Sequence, residues 1–91
     1  MLKAQVYFLK GNSYLKTQEF LKSIDNFSLA LQFSPDFAEA YHKRGSAWYG
    51  LKNYENACAD WKEACKLALI CQGWNLGKEL KICGNNLKTQ E

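Results

Sequence analysis

Residues 34–50 read SPDFAEAYHKRGSAWYG and run from the only proline of the chain into an amphipathic segment with a glycine in its interior. Pro35 lacks the amide hydrogen that a helix interior needs, so it marks the end of one helix. Asp36 comes next and is predicted to cap the following helix. Gly45 costs a helix about 1 kcal/mol relative to alanine. A glycine at such a position therefore predicts close contact with a neighbouring helix.

The same pattern occurs a second time, 34 residues earlier in the chain. The identical residues at this offset are Ala4 and Ala38, Tyr7 and Tyr41, Gly11 and Gly45, and Ala30 and Ala64. At other positions with this spacing one aromatic residue matches another, as Phe27 matches Trp61. Such matching of size is what repeated packing geometry requires. The chain is therefore predicted to contain one structural unit twice.

Apolar residues recur at helical spacing within both units. Phe20, Ile24, Phe27 and Leu31 lie at i, i+4, i+7 and i+11, which is typical of the buried face of an amphipathic helix. No segment alternates with period two, so no strand is predicted. Each unit is interpreted as a hairpin of two helices, and Asn53 is predicted to cap the second helix of the second unit.

The interior glycines are expected to lie where the two helices of a hairpin approach most closely. Gly11 and Gly45 are predicted to face the backbone of the second helix, because any side chain there would hold the helices apart. Ala30 and Ala64 are the small residues expected on the opposing helices.

The two units resemble the tetratricopeptide repeat, which has a 34-residue period and the pattern W-x₂-L-G-x₂-Y…A-x₃-F…P. The matching residues are Tyr7, Lys10, Gly11, Tyr14, Ser23, Phe27, Ala30 and Pro35, then Tyr41, Arg44, Gly45, Trp48, Ala57, Trp61 and Ala64. The resemblance implies an all-α fold, a right-handed α-α superhelix of two helical hairpins. A basic residue replaces the leucine of the pattern in both units. Leu69 stands in place of the second proline, which predicts that the helix there continues without a sharp stop.

The whole chain is predicted to form a single domain of this kind. Its parts are repeat one at residues 4–37, repeat two at 38–71, a C-terminal capping helix at about 74–83 and a frayed tail at 84–91. The capping helix is expected to cover the apolar face that the second unit leaves open, with Trp74 as its anchor.

Charge and hydropathy exclude several kinds of partner. The formal net charge of +3 comes from twelve basic and nine acidic residues that are scattered along the chain. The sequence contains no block of like charge that could bind along a phosphate backbone, so no nucleic-acid partner is predicted. The sequence has no apolar run typical of a signal peptide or a membrane span, so no membrane partner is predicted either. We therefore expect a cytoplasmic protein with reduced cysteines.

The four cysteines, Cys58, Cys65, Cys71 and Cys83, all lie in the last third of the chain. No metal site is predicted, because close CxxC pairs are absent and Cys58 and Cys65 are about 10 Å apart along one helix face. These two cysteines occupy positions that are apolar in the first unit, which favours small buried hydrophobic residues with free thiols. A disulfide between Cys71 and Cys83 in an oxidising compartment is the alternative.

No catalytic residues or cofactor are predicted, so the protein is not expected to be an enzyme. His42 is the only histidine, and no nucleophile and base can be assigned around it from sequence spacing. Gly73 and Gly77 lack the following lysine and serine of a phosphate-binding loop.

Tetratricopeptide repeats generally act as scaffolds for protein–protein interaction, and the first helices of their repeats line a concave groove. The resemblance places partner-binding residues on that face at Gln5, Phe8, Asn12, Leu15, Glu39, His42, Lys43, Ser46 and Tyr49. Some relatives clamp a C-terminal carboxylate there. This chain has Asn12 as those relatives do, but Phe8 replaces the expected lysine and Lys43 replaces the expected asparagine, so this mode is not predicted.

The expected groove is apolar and aromatic, with Phe8, Leu15 and Tyr49 as anchors. It suits an amphipathic helix or peptide of a partner protein, or a second copy of the chain. In an alternative interpretation, Phe8 and Leu15 only pack within the first repeat.

Self-association is the second functional hypothesis. Stable arrays usually contain three or more repeats, whereas this chain has two and a cap. The first helix is expected to start near Met1 and to leave Val6, Phe8 and Leu9 uncovered. A homodimer is therefore predicted, formed through the groove or the open N-terminal face. The alternative is that the chain is a piece of a longer repeat array.

Overall fold

A computed structural model of the chain describes residues 2–83. This part of the chain contains five α-helices: α1 at Leu2–Lys16, α2 at Phe20–Phe33, α3 at Ala38–Gly50, α4 at Tyr54–Ala68 and α5 at Gln72–Glu79. Helices α1 and α2 form one hairpin, α3 and α4 form a second, and α2 packs on α3 to join them. Helix α5 packs on α4 and contacts α3. The predicted all-α helical repeat fold is confirmed, and the predicted frayed tail lies outside the described residues.

One of the two predicted helix caps is confirmed. The Asn56 amide donates a hydrogen bond of 3.2 Å to the side-chain oxygen of Asn53, which caps α4 as predicted. The prediction for Asp36 is wrong, because Phe37 precedes α3 and makes no side-chain cap. The Asp36 carboxylate instead accepts a hydrogen bond from the Ser34 hydroxyl at 3.3 Å, within the turn between the two repeats.

The end of α4 also differs from the prediction. The helix stops at Ala68, and Leu69 adopts a left-handed conformation with φ of 58°. Left-handed residues commonly terminate helices, so α4 ends sharply without the proline of the family pattern. After this turn, α5 spans Gln72–Glu79 rather than residues 74–83.

Gly11 and Gly45 do lie at close contacts, but the contact is with an aromatic ring. A Cβ atom added to Gly11 would lie 2.7 Å from the ring of Phe27, and one added to Gly45 would lie 2.5 Å from the ring of Trp61. Real Cβ atoms do not approach other atoms so closely. The prediction that these glycines face a helix backbone is therefore wrong, because the aromatic side chain of the second helix fills the space over each glycine.

The core consists of two clusters that follow the repeat. In the first, Ala30 and Leu31 of α2 pack with Ala40 of α3, so small residues bring the two repeats together. In the second, Ala57 and Trp61 of α4 pack with Cys83, and Trp74 of α5 packs against them as predicted. A Cβ atom on Gly73 of α5 would collide with the Trp61 ring, so glycines of both α3 and α5 border this indole.

Two disulfide bonds attach the C-terminal segment to α4. They join Cys58 to Cys83 and Cys65 to Cys71, and the structure contains no free cysteine among the described residues. The predictions of four free thiols and of a Cys71–Cys83 alternative are therefore both wrong. Leu69 turns the chain back on itself after α4, which brings Cys71 to Cys65 and leaves Cys83 to meet Cys58.

Candidate partner-binding surface

The first helices of the two repeats, α1 and α3, lie side by side and carry the predicted binding residues. Gln5 and Asn12 are two turns apart on α1, and Glu39 and Ser46 occupy the same positions on α3. Gln5 and Glu39 are exposed, whereas Asn12 and Ser46 are half-buried. With the accessible side chains beside them, they form what we call the first-helix surface: Gln5, Asn12, Leu15, Glu39, His42, Lys43, Ser46 and Tyr49.

Phe8 is placed differently from the other predicted binding residues. Its ring centroid lies 4.8 Å from that of Phe37 and 5.7 Å from that of Phe27. It packs against the cluster of buried residues between α2 and α3. This arrangement corresponds to the alternative interpretation, in which Phe8 packs within the first repeat, and it makes the first-helix surface less apolar than the sequence predicts.

Tyr49 and Leu15 provide the apolar part of the first-helix surface. One side of the Tyr49 ring packs against Tyr54 and Trp61, with centroids 5.7 Å away in both cases, and 37% of the residue stays exposed. Leu15, its equivalent on α1, is half-buried. Tyr49 therefore combines a fixed position with an accessible edge, and Leu15 is partly accessible beside it on the surface.

An open depression adjoins the N-terminal end of the first-helix surface. It has a volume of about 340 Å³ and is lined by Ala4 and Gln5 of α1 and by Ser34 and Phe37 of the turn between the repeats. Because its lining is mainly apolar with an amide and a hydroxyl at the edge, it has the size and chemistry to hold one apolar side chain.

His42 lies at the centre of α3 and is half-buried. Its Nδ1 atom is buried and has no hydrogen-bond partner among the described residues. Burial lowers the pKa of His42 below its ordinary value, the positive charge of Lys43 lowers it further, and the negative charge of Glu39 opposes both effects. The imidazole is therefore neutral at neutral pH, and one ring nitrogen can accept a hydrogen bond while the other donates one.

Arg44 joins three helices behind the first-helix surface. Its Nε and Nη2 atoms donate hydrogen bonds of 2.7 and 2.9 Å to the two carboxylate oxygens of Asp60 on α4. Its Nη1 atom donates a bond of 2.9 Å to the Ser28 hydroxyl on α2. The carboxylate raises the pKa of Arg44 above its ordinary value. This network holds α3 in a fixed orientation relative to both second helices, α2 and α4.

The network was not predicted from the sequence. The available signal was the basic residue at the leucine position of the repeat pattern, since a charge at a packed position needs a partner. Nothing in the local sequence identifies Asp60, sixteen residues away, as that partner.

The described residues carry no other recognisable chemistry. No group of three or more His, Cys, Asp or Glu side chains within residues 2–83 is arranged to hold a metal ion. None of the five described helices is long and apolar enough to cross a bilayer.

Sequence comparison gives the family of the chain. The model of the tetratricopeptide repeat matches residues 4–37 and 38–70, which is well over half of the sequence. The chain belongs to the tetratricopeptide repeat family. Repeats of this family generally mediate protein–protein interaction and act as scaffolds rather than as catalytic centres.

One similar curated protein is the human mitochondrial import receptor subunit TOM70. The two sequences are 33% identical over 66 residues, which is 72% of this chain but only 11% of TOM70. The chain therefore spans about a tenth of the length of this relative.

Proposed function

We propose that this chain is a protein-binding module that holds a segment of a partner protein on its first-helix surface. The observation that carries the proposal is the accessibility of this surface. The corresponding polar positions of α1 and α3 are exposed or half-buried, and the Arg44 network fixes α3 from behind, relative to α2 and α4. The established role of the family in protein–protein interaction supports the same conclusion.

The chemistry of the first-helix surface favours an extended segment with one or two apolar side chains. Asn12 and Ser46 offer an amide and a hydroxyl that can hydrogen-bond a peptide backbone. Tyr49 offers an aromatic edge, and the depression beside Gln5 accommodates an apolar side chain. Lys43 and Glu39 carry opposite charges, so the surface does not favour a strongly acidic or a strongly basic partner.

The segment is proposed to be internal to its partner rather than a C-terminal tail. A carboxylate needs a cation in a dry, fixed position, but the lysine position of carboxylate-binding relatives is occupied by Phe8, whose ring packs against Phe27 and Phe37. The name of TOM70 describes a receptor subunit. A receptor role is carried over to this chain only as part of this proposal, in the sense of recognising a segment of another protein.

The proposal can be tested with a peptide selected from a random display library on the immobilised chain. Gln5→Ala with Ser46→Ala is expected to weaken its binding by about tenfold in calorimetry, through loss of two polar contacts. The matched control is Gln32→Ala, which removes an exposed glutamine from α2. Equal weakening by the control, or no weakening by the double variant, would overturn the proposal.

The same peptide distinguishes the two binding modes. Versions with a free C-terminal carboxylate and with an amidated C-terminus are expected to bind equally. A strong preference for the free acid would show that the chain binds C-terminal tails and that the proposed internal segment is wrong.

A further inference from the structure

The chain from α5 to the end of the described residues is held to the two hairpins by few large buried side chains. We call residues 72–83 the α5 segment. Its buried residues within α5 are Gly73 and Gly77, its two leucines stay 43% and 48% exposed, and Trp74 and Ile82 are half-buried against the core. Glycine offers no side chain to bury and lowers helix propensity, and a helix as short as α5 is marginal by itself. The noncovalent attachment of the α5 segment is therefore weak.

The α5 segment closes one side of Trp61. The Trp61 side chain lies against Gly45 of α3 and Gly73 of α5, and Cys83 packs in the same cluster. Only 2% of Trp61 is exposed, and its Nε1 atom is buried with no hydrogen-bond partner among the described residues. Burial by these neighbours is thus what shields the indole N–H group from water. Release of the α5 segment would open it to solvent.

The two disulfides hold different ends of the α5 segment. Cys71 comes three positions after Ala68, where α4 ends, so the chain itself keeps Cys71 near Cys65. Cys83 lies beyond the far end of α5, and its bond to Cys58 ties that end to α4. Because no short stretch of chain does the same there, Cys58–Cys83 is the bond that fixes the far end of the α5 segment.

The two hairpins have contacts of their own that do not depend on this bond. Arg44 of α3 donates hydrogen bonds to Ser28 of α2 and to Asp60 of α4. Helices α1 and α2 pack on each other, as do α3 and α4, and α2 packs on α3. We therefore expect helices α1 to α4 to stay folded when the α5 segment is released.

We propose that Cys58–Cys83 is a redox switch: its reduction releases the α5 segment from α4 and uncovers Trp61, while the two hairpins stay folded. Disulfides persist in oxidising compartments, and the thiol systems of the cytosol reduce them. The redox state around the chain thus decides whether this end of the repeat stack is covered. The switch involves no residue of the first-helix surface, so it does not depend on the proposed function.

The switch requires a dithiol reductant, which supplies two electrons and two protons. Its thiolate attacks the Sγ atom of Cys58, because Cys58 is half-buried whereas Cys83 is only 2% exposed. A bond forms between Cys58 and the reductant, the Cys58–Cys83 bond breaks, and its electron pair goes to Cys83, which takes up a proton. The second thiol of the reductant then attacks the mixed disulfide. Cys58 leaves as a thiol, and the reductant leaves as a cyclic disulfide.

Hydrogen exchange of the 91-residue chain, followed by NMR with and without dithiothreitol, tests the proposal. In the reduced chain, the Trp61 indole N–H and the amides of Asn75 and Leu80 are expected to exchange within about tenfold of the rates of an unfolded chain. Amides inside α2 are expected to stay protected by at least about a hundredfold. Unchanged protection of Trp61 and of the α5 amides on reduction, or loss of protection in α2, would overturn the proposal.

Two double variants, each lacking one disulfide, identify the bond that acts as the switch. Cys58→Ala with Cys83→Ala is expected to show the exchange pattern of the reduced chain without any reductant. The matched control, Cys65→Ala with Cys71→Ala, is expected to keep Trp61 and the α5 amides protected until dithiothreitol is added. Release in both variants without reductant, release in neither, or unfolding of the hairpins in the first variant would each contradict the assignment of Cys58–Cys83 as the switch.

Discussion

The guanidinium group of Arg44 on α3 binds both carboxylate oxygens of Asp60 on α4, at 2.7 and 2.9 Å. The side chains are only 21% and 8% exposed, so this pair is largely shielded from water. Arg44 stands where the repeat pattern has leucine, at a position that ordinarily packs between helices. An ion pair thus occupies a site built for an apolar side chain, and its two members depend on each other.

Removing one member of this pair is expected to cost more than removing both. Asp60→Ala leaves the Arg44 charge shielded and unpaired, which should lower the free energy of unfolding by about 3 kcal/mol. Arg44→Leu combined with Asp60→Leu restores the leucine of the pattern and removes both charges, and its stability should be within about 1 kcal/mol of the parent. Urea unfolding of Arg44→Leu alone, Asp60→Leu alone and the double variant measures the coupling between the two residues. If the losses in unfolding free energy of the two single variants sum to the loss of the double variant, the two residues are not coupled and this account is wrong.

Whether Gly45→Ala raises or lowers the free energy of unfolding tests the contact between Gly45 and Trp61. Helix propensity alone would make Gly45→Ala stabilising by about 1 kcal/mol. The structure predicts the opposite, a loss of about 1 to 3 kcal/mol, because the added methyl group would displace the Trp61 ring. Thermal and urea unfolding of the single variant decide the matter. A Gly45→Ala chain that is more stable than the parent would show that the ring does not occupy this space.

The helical hairpins could be predicted because the same pattern of residue sizes occurs twice in the sequence. Matching glycines and aromatics 34 residues apart located both hairpins, and the cost of glycine in a helix correctly signalled a close contact at Gly45. The sequence did not show that the contact is with Trp61. A glycine inside a helix indicates that another group lies too close for a side chain. Which group that is depends on the angle between the two helices.

The parts that could not be predicted depend on residues distant in sequence. The pairing of the four cysteines follows from the left-handed turn at Leu69, which reverses the chain before α5. Glycine or asparagine usually occupies such a left-handed position, but here the residue is leucine, so the sequence does not indicate the turn. Phe8 is predicted to line the groove because of its position on the first helix, and only the placement of Phe37 after the proline turn shows that its half-buried ring also packs against the core.

The disulfide pairing predicts a specific set of linked peptides. Trypsin places each cysteine in its own peptide, at residues 53–62, 63–66, 67–78 and 82–88. Mass spectrometry of the unreduced digest is expected to link residues 53–62 to 82–88 and residues 63–66 to 67–78. A link between 67–78 and 82–88, or four thiols titrating in the unreduced denatured chain, would contradict the structure.

The two disulfides are expected to contribute unequally to stability. Cys58–Cys83 closes a loop with a sequence separation of 25 and Cys65–Cys71 one with a separation of 6. Loop entropy predicts losses of about 3.5 and about 2.3 kcal/mol when each pair is replaced by alanine. Cys83 is also buried beside Trp61, which adds to the cost of the first replacement. Thermal unfolding of the two double variants is the measurement, and a larger loss from the Cys65–Cys71 pair would contradict the prediction.

The single histidine predicts how stability changes with pH. The pKa of His42 is lower in the folded chain than its ordinary value of 6.5, mainly through burial. As the pH falls below 6.5, the unfolded chain takes up a proton before the folded chain does, so the folded state loses stability until the pH has passed the folded pKa. His42→Gln removes this component. As the pH falls through this range, the free energy of unfolding should therefore decrease more for the parent than for the variant. Urea unfolding measures the difference, and NMR of the one imidazole measures the pKa directly. Lys43→Gln should raise that pKa, because the positive charge of Lys43 opposes protonation; an unchanged or lower pKa would show that this charge does not act on His42.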